Sequence, residues 1–204
     1  MSPASVPTIN AHGAAIPAVG YGTMLFPEPE RAVELILHAL ECGYRHIDTA
    51  RKYGTEKWVG EGIRASGVPR EDIWVTTKVT EENAQADDFA RSVDTSLETM
   101  GLDHVDLLLI HWPQPNVPLA ETLGALAKAK RDGLARNIGV SNFTIPLLDE
   151  ATAKCPEPLV TNQIEYHTYI NQDRLIAACR KHGLLITCHA PLARGAMLDD
   201  PVIV

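Results

Sequence analysis

The sequence predicts an α/β fold, a (β/α)8 TIM barrel entered through a short N-terminal β-hairpin, and three observations point to it. Short apolar runs alternate from end to end with longer segments of helical period, the pattern of βα units around a parallel sheet. Seven such runs are present, too many for a small flavodoxin-like sheet. No Gly-rich G-x-G-x-x-G opens a helix, so a Rossmann arrangement lacks its phosphate-binding turn.

The elements follow in order. Residues 8–10 and 14–17 flank Ala11-His12-Gly13, a turn-like cluster that predicts a hairpin closing the bottom of the barrel. Candidate strands run over 18–22, 46–49, 73–78, 105–111, 137–140, 160–165 and 184–189. Between them, Val33, Ile36, Leu37 and Leu40 recur at helical spacing, as do Phe89, Val93 and Leu97, and then Leu119, Leu123 and Leu126. Each set makes one apolar face that a helix would lay on the sheet. Gly43, Gly101, Gly133 and Gly183 sit just past these helical runs, where a residue free to adopt positive φ ends a helix. Glu28-Pro29-Glu30-Arg31 reads as a solvated helix start, because carboxylates favour that end of the dipole. Asp199-Asp200-Pro201 reads as the capped start of another helix. The expectation is therefore one barrel domain over 1–204, truncated at its C-terminal end, with the eighth strand and last helices absent and the edges of the first and seventh strands open.

Composition narrows the function classes. With 45% hydrophobic and 22% charged residues the chain has ample material for one sizeable core. A net charge of −8 without any local Lys/Arg run argues against nucleic acid and anionic membranes as partners. Residues 1–8 hold neither a basic start nor an apolar run, and no stretch approaches the ~18 apolar residues of a membrane span. A cytoplasmic monomer acting on a small molecule is the expectation. Cys42, Cys155, Cys179 and Cys188 form no C-x-x-C pair, and the 8 histidines show no H-x-H or H-E-x-x-H spacing, so no metal is expected.

Chemistry is expected where strands end, since reactive groups in such barrels gather at the C-terminal face. Asp48 ends the second candidate strand, Tyr53 follows in its loop, Lys78 ends the third, and His111 ends the fourth after Leu107-Leu108-Leu109-Ile110. Hydride delivery to a carbonyl carbon leaves negative charge on oxygen, and a proton must follow. Tyrosine is a weak acid at neutral pH, but a neighbouring ammonium such as Lys78 stabilises its phenolate and lowers its pKa. Asp48 would keep Lys78 charged and oriented, while His111, as a hydrogen-bond donor, could polarise the substrate oxygen. On local evidence Asp48 and Lys78 also read as a structural ion pair, and Ser141-Asn142 as an ordinary helix N-cap. His46, His104 and His167 read as structural.

Tyr44-Arg45-His46-Ile47-Asp48-Thr49-Ala50, followed by Tyr53-Gly54-Thr55-Glu56, resembles the first signature of the aldo-keto reductase family. Further matches follow in the family's order: Thr77-Lys78-Val79, Leu108-Leu109-Ile110-His111-Trp112-Pro113, Ile138-Gly139-Val140-Ser141-Asn142-Phe143, and Asn162-Gln163-Ile164-Glu165-Tyr166-His167. Within the family the chain is most similar to bacterial 2,5-diketogluconate reductases. The resemblance implies NADPH-dependent reduction of an aldehyde, ketone or keto-sugar by a tetrad at Asp48, Tyr53, Lys78 and His111. It implies nicotinamide carboxamide contacts from Ser141, Asn142 and Gln163, and further cofactor contacts from Thr23, Asp48, His189, Ala190, Leu192 and Arg194. It also implies a substrate pocket at Met24, Tyr53, His111 and Trp112. His189 stands where the family usually has an aromatic residue stacking on the nicotinamide, and the basic segment that normally holds the adenosine 2′-phosphate is not in this sequence. NADPH as the cofactor thus follows from the resemblance alone. A catalytically inactive binding or regulatory protein on the same scaffold is the alternative.

Overall fold

In the computed structural model, which describes residues 6–24, 26 and 31–203, seven strands pair in parallel into one curved sheet ordered as in a barrel. A hairpin precedes them, β1 (Thr8–Ala11) against β2 (Ala14–Pro17), antiparallel, with Ala11 facing Ala14 across the predicted turn. The barrel strands are β3 (Tyr21–Gly22), β4 (His46–Asp48), β5 (Trp74–Val79), β6 (Val105–Ile110), β7 (Ala135–Ser141), β8 (Leu159–Glu165) and β9 (Leu185–His189). Their spatial order is their chain order, so each crossover helix lies against the strands it joins. The helices are α1 (Ala32–Glu41), α2 (Glu56–Ser66), α3 (Ala86–Met100), α4 (Leu119–Arg131), α5 (Ile145–Lys154) and α6 (Asp173–Lys181). The result is a nearly closed (β/α)8-type barrel. Among the described residues no strand pairs with the outer edge of β3 or β9.

Two apolar layers hold it together. The outer one joins helix faces to the sheet: Ile36 and Leu40 of α1, Phe89 and Val93 of α3, and Leu123 and Leu126 of α4 pack with Ile47, Val75, Leu108 and Ile138. The inner one fills the barrel floor, where Ala11, Ala14 and Ile16 of the hairpin meet Leu107, Leu109 and Val160. Every residue of β6 is buried, with Leu108 turned to the helices and Leu107 and Leu109 to the lumen. Polar groups at the floor are satisfied in place. Asp106, 3% exposed, takes Arg70 at 2.8 Å, Arg136 at 3.1 Å and the main-chain N–H of Val75 at 2.9 Å. His46 shares a 2.9 Å hydrogen bond with Thr76, and burial keeps its pKa below the ordinary value.

Several sequence expectations change. The run at 18–22 yields only the short edge strand β3, whereas 137–140 lengthens into β7. Helix α2 was not foreseen, because Gly60 and Gly62 interrupt its apolar pattern with poor helix formers. Packing explains them: a Cβ on Gly60 would lie 1.8 Å from the Met100 carbonyl, and one on Gly62 would lie 2.6 Å from Ile36. Instead of opening a helix, residues 199–203 make a turn in which Asp200 accepts the N–H of Val202 at 2.8 Å. The proposed helix start at 28–31 falls mostly outside the described residues, as do residues 1–5 of the N-terminus. None of the helices among the described residues is long and apolar enough to cross a membrane.

Candidate active site

At the C-terminal ends of β4, β5 and β6 the chain brings Asp48, Lys78 and His111 together, and the turn Arg51–Tyr53 folds back over them. Lys78 is buried to its ammonium, which donates to Asp48 Oδ1 at 2.5 Å and to the Thr49 carbonyl at 2.9 Å. Its Nζ stands 5.0 Å from the centre of the Tyr53 ring. The His111 ring meets Tyr53 edge-on, with 5.6 Å between centroids and 80° between planes. A buried ammonium so closely paired and hydrogen-bonded is the geometry in which burying charge is tolerable.

The Tyr53 turn is pinned by Thr55 and Glu56, to which sequence reasoning gave no role, together with their partners. Thr55 Oγ1 lies 2.8 Å from the hydroxyls of both Thr23 and Thr49. Glu56, 2% exposed, accepts from Thr77 at 2.6 Å and from Arg51 at 3.4 Å. A carboxylate three residues after the tyrosine, opening a helix, was the available signal; its burial was not legible. Thr23, expected at the cofactor, is wholly buried as part of this strut and also bonds the Asp48 carbonyl at 3.2 Å.

A second polar chain crosses the mouth. Gln163 Nε2 donates to Asp48 Oδ2 at 2.8 Å, tying β8 to β4 across the lumen. Ser141 Oγ donates to the Gln163 carbonyl at 2.9 Å. Asn142 donates to the His111 carbonyl and to Ser141 Oγ, each at 3.0 Å, while its Oδ1 accepts from His189 Nε2 at 3.0 Å. Asn142 holds φ at +62°, a left-handed conformation that Asn tolerates better than most residues and that clusters at functional sites. The N-cap reading of Ser141-Asn142 does not hold, since Thr144 occupies that position before α5.

Electrostatics corrects one expectation. Burial pushes the Tyr53 phenol above its ordinary value, and the opposing pull of Lys78 does not overcome it. His111 is driven the other way, to about 4, first by burial and then by the Lys78 ammonium. At neutral pH the pair is a protonated phenol beside a neutral imidazole.

The remaining predicted residues lie at the rim. Met24 and Trp112 are exposed, as are Leu192 and Arg194. Ala190, Ala193 and Arg194 all have positive φ, so the loop after β9 is locally strained. No hydrogen bond among the described residues joins Ala190, Leu192 or Arg194 to the Asp48–Lys78 pair. No group of three or more His, Cys, Asp or Glu side chains among the described residues could hold a metal ion.

Residues 18–200 match the model of the aldo/keto reductase family. The chain belongs to that family. It is 45% identical over 192 residues to a methylglyoxal reductase DkgB of Escherichia coli O157:H7, covering 93% of this chain and 72% of that one. This aldo/keto reductase chain also superposes on the crystal structure of a putative 2,5-diketo-D-gluconic acid reductase B with a TM-score of 0.93 at 42% identity, covering 97% of this chain and 70% of the other. A Bombyx mori aldo-keto reductase, solved in complex with NADP, follows with a TM-score of 0.86 at 34% identity, 92% of this chain and 67% of the other being covered. As a member of the aldo/keto reductase family the protein is an oxidoreductase whose relatives reduce carbonyl groups.

Proposed function

We propose that this chain reduces the carbonyl of a small aldehyde, ketone or keto-sugar to an alcohol, with NADPH as the electron donor and Tyr53 as the general acid. The observation that carries the reading is the packing of the Tyr53 ring between the Lys78 ammonium and the His111 imidazole at the barrel mouth.

Bound NADPH would supply a hydride to the carbonyl carbon. Tyr53 then gives its phenolic proton to the oxygen on which charge develops, and burial supports this role by keeping that proton in place at neutral pH. The phenolate left behind is stabilised by Lys78, whose own charge is secured by Asp48 Oδ1 and the Thr49 carbonyl. His111, neutral at working pH, borders the reacting centre and positions substrate oxygens.

The nicotinamide carboxamide offers one acceptor and two donors, and the buried end of β7 and β8 fits it. Gln163 keeps its Oε1 and one amide hydrogen, and Ser141 Oγ keeps a lone pair, after their bonds to protein are counted. Asn142 is more fully engaged, with both amide hydrogens and its oxygen in use, so it orients the others. Choice of NADPH over NADH is supported by the NADP complex of the silkworm relative. Methylglyoxal and 2,5-diketogluconate, named for relatives, are the first substrates to try.

The test is NADPH consumption with a panel of aldehydes, dicarbonyls and keto-acids. Wild type is expected to turn over at least one of them, and Tyr53→Phe to lose roughly a hundredfold to ten-thousandfold in kcat, the range for a removed general acid. A Tyr53→Phe variant that keeps its rate rules out the assignment.

A further inference from the structure

Glu56 is a buried carboxylate to which the proposed chemistry gives no part. It opens α2 three residues after Tyr53 and is 2% exposed. Its Oε1 accepts from the Thr77 hydroxyl at 2.6 Å, and its Oε2 accepts from Arg51 Nη1 at 3.4 Å. Each partner stands beside a reacting group. Thr77 precedes Lys78 on β5, and Arg51 opens the turn that carries Tyr53. Arg51 Nη1 also reaches the Thr99 hydroxyl of α3 at 3.4 Å, which ties the turn to the helix layer.

Successive side chains of a strand point to opposite faces, so Lys78 turns its ammonium toward Asp48 at the barrel mouth while Thr77 turns its hydroxyl toward α2. The strand thus offers the Tyr53 turn a fixed point directly behind the ammonium. Other links hold the turn as well. Thr55 Oγ1 bonds the hydroxyls of Thr23 and Thr49, beside the ends of β3 and β4. Lys52 reaches Glu81, just past the end of β5, at 2.6 Å, but that lysine is half exposed, and water and salt weaken such a pair. The Thr77–Glu56 bond is buried, and a buried carboxylate is costly to leave without its donors, so the fold keeps the bond made.

We propose that Glu56 is a positioning residue: by joining Thr77 to Arg51 it fixes how far the Tyr53 phenol stands from the Lys78 ammonium. The inference rests on the reading of Tyr53 as general acid for its effect on rate, but not for its effect on the phenol itself. Nζ stands 5.0 Å from the ring centre, and its attraction for the phenolate weakens as the turn slips. Loss of the Glu56 bonds lets the phenol move away from the ammonium, which makes it harder to ionise. Loss of the Glu56 charge by itself acts the other way, because a nearby negative charge also opposes ionisation. The direction of the change therefore separates positioning from an effect of charge through space.

The phenol is followed by ¹⁹F NMR in the full chain labelled with 3-fluorotyrosine, which titrates at lower pH than tyrosine; the Tyr53 signal is assigned by its absence in Tyr53→Phe. Expected in Glu56→Leu is a titration midpoint about one unit above that of wild type, the lower end of what an adjacent opposite charge contributes. An unchanged or lowered midpoint overturns the proposal. In the rate arm, kcat is expected to fall roughly tenfold in Glu56→Leu with the carbonyl KM nearly unchanged, since a misplaced acid slows the chemical step rather than binding. A loss confined to KM, or no loss, overturns it as well. Should Glu56→Leu not fold, Thr77→Val removes the 2.6 Å bond from the strand side and is expected to move midpoint and kcat in the same directions; if it moves neither, Glu56 does not position the phenol. If Tyr53→Phe keeps the wild-type rate, the general-acid reading fails, while the ¹⁹F midpoint still decides what Glu56 holds.

Discussion

His111 sits 7% exposed beside an ammonium, and its folded pKa of about 4 lies below the ordinary imidazole value of 6.5. A histidine held neutral in this way makes stability depend on pH with a definite sign. Above 6.5 both folded and unfolded chains carry it neutral; as pH falls from 6.5 toward about 4 only the unfolded state takes up the proton, and stability is lost. The full loss is roughly 3 kcal/mol for a shift of that size. His46, also lowered by burial, contributes with the same sign. Urea denaturation of wild type and His111→Gln at a series of pH values should show the wild-type curve falling more steeply across that acid window. Parallel curves would mean that His111 is not held neutral by the fold. Such a difference was beyond sequence reasoning. That Tyr53 and Lys78 lie near each other could be read from a strand end and the loop beside it, whereas the rise of the Tyr53 pKa depends on how deeply the ring is covered.

Helix α2 shows what an element needs beyond its own pattern. It follows directly on the Tyr53 turn, its first residue is the buried Glu56, and its two glycines let α3 and α1 approach. Gly60→Ala would place a methyl group against the Met100 carbonyl, a main-chain atom that cannot step aside as a flexible side chain can. Overpacking of this kind costs about 1–3 kcal/mol, despite the better helix propensity of alanine. The check is equilibrium unfolding: a stability equal to or above wild type would show that the two helices separate freely. α1, α3 and α4 were legible because their apolar residues recur in one stripe, and most barrel strands because a short apolar run ends in a polar residue. β3 was overestimated at 18–22 because an edge strand has only one neighbour to extend its pairing.

Over the whole molecule the sheet is held most firmly in the middle. β6 is buried along its length and paired on both sides, while β9 has one neighbour and no fully buried residue. Amide exchange should follow that gradient, with β9 exchanging at least about tenfold faster than β6, since locally stabilised segments open less often. Equal protection in the two strands would show that the described edge is covered in solution. Asp48 and Gln163 stand 115 residues apart, and their hydrogen bond crosses the mouth of this open-edged barrel. It joins the Lys78 side of the site to the Ser141–Asn142 side.

The alternation of strands and helices, the hairpin at the floor, and the strand ends on which Asp48, Lys78 and His111 stand were legible in the residues alone, because periodicity and strand-end polarity are local properties of the chain. Which groups are buried together came with folding: the Glu56 strut, the engagement of Thr23 within it, and the His189–Asn142 contact. Charge and hydrogen-bond demand depend on burial and on distances between residues far apart in the chain, and those distances exist only once the barrel has curved.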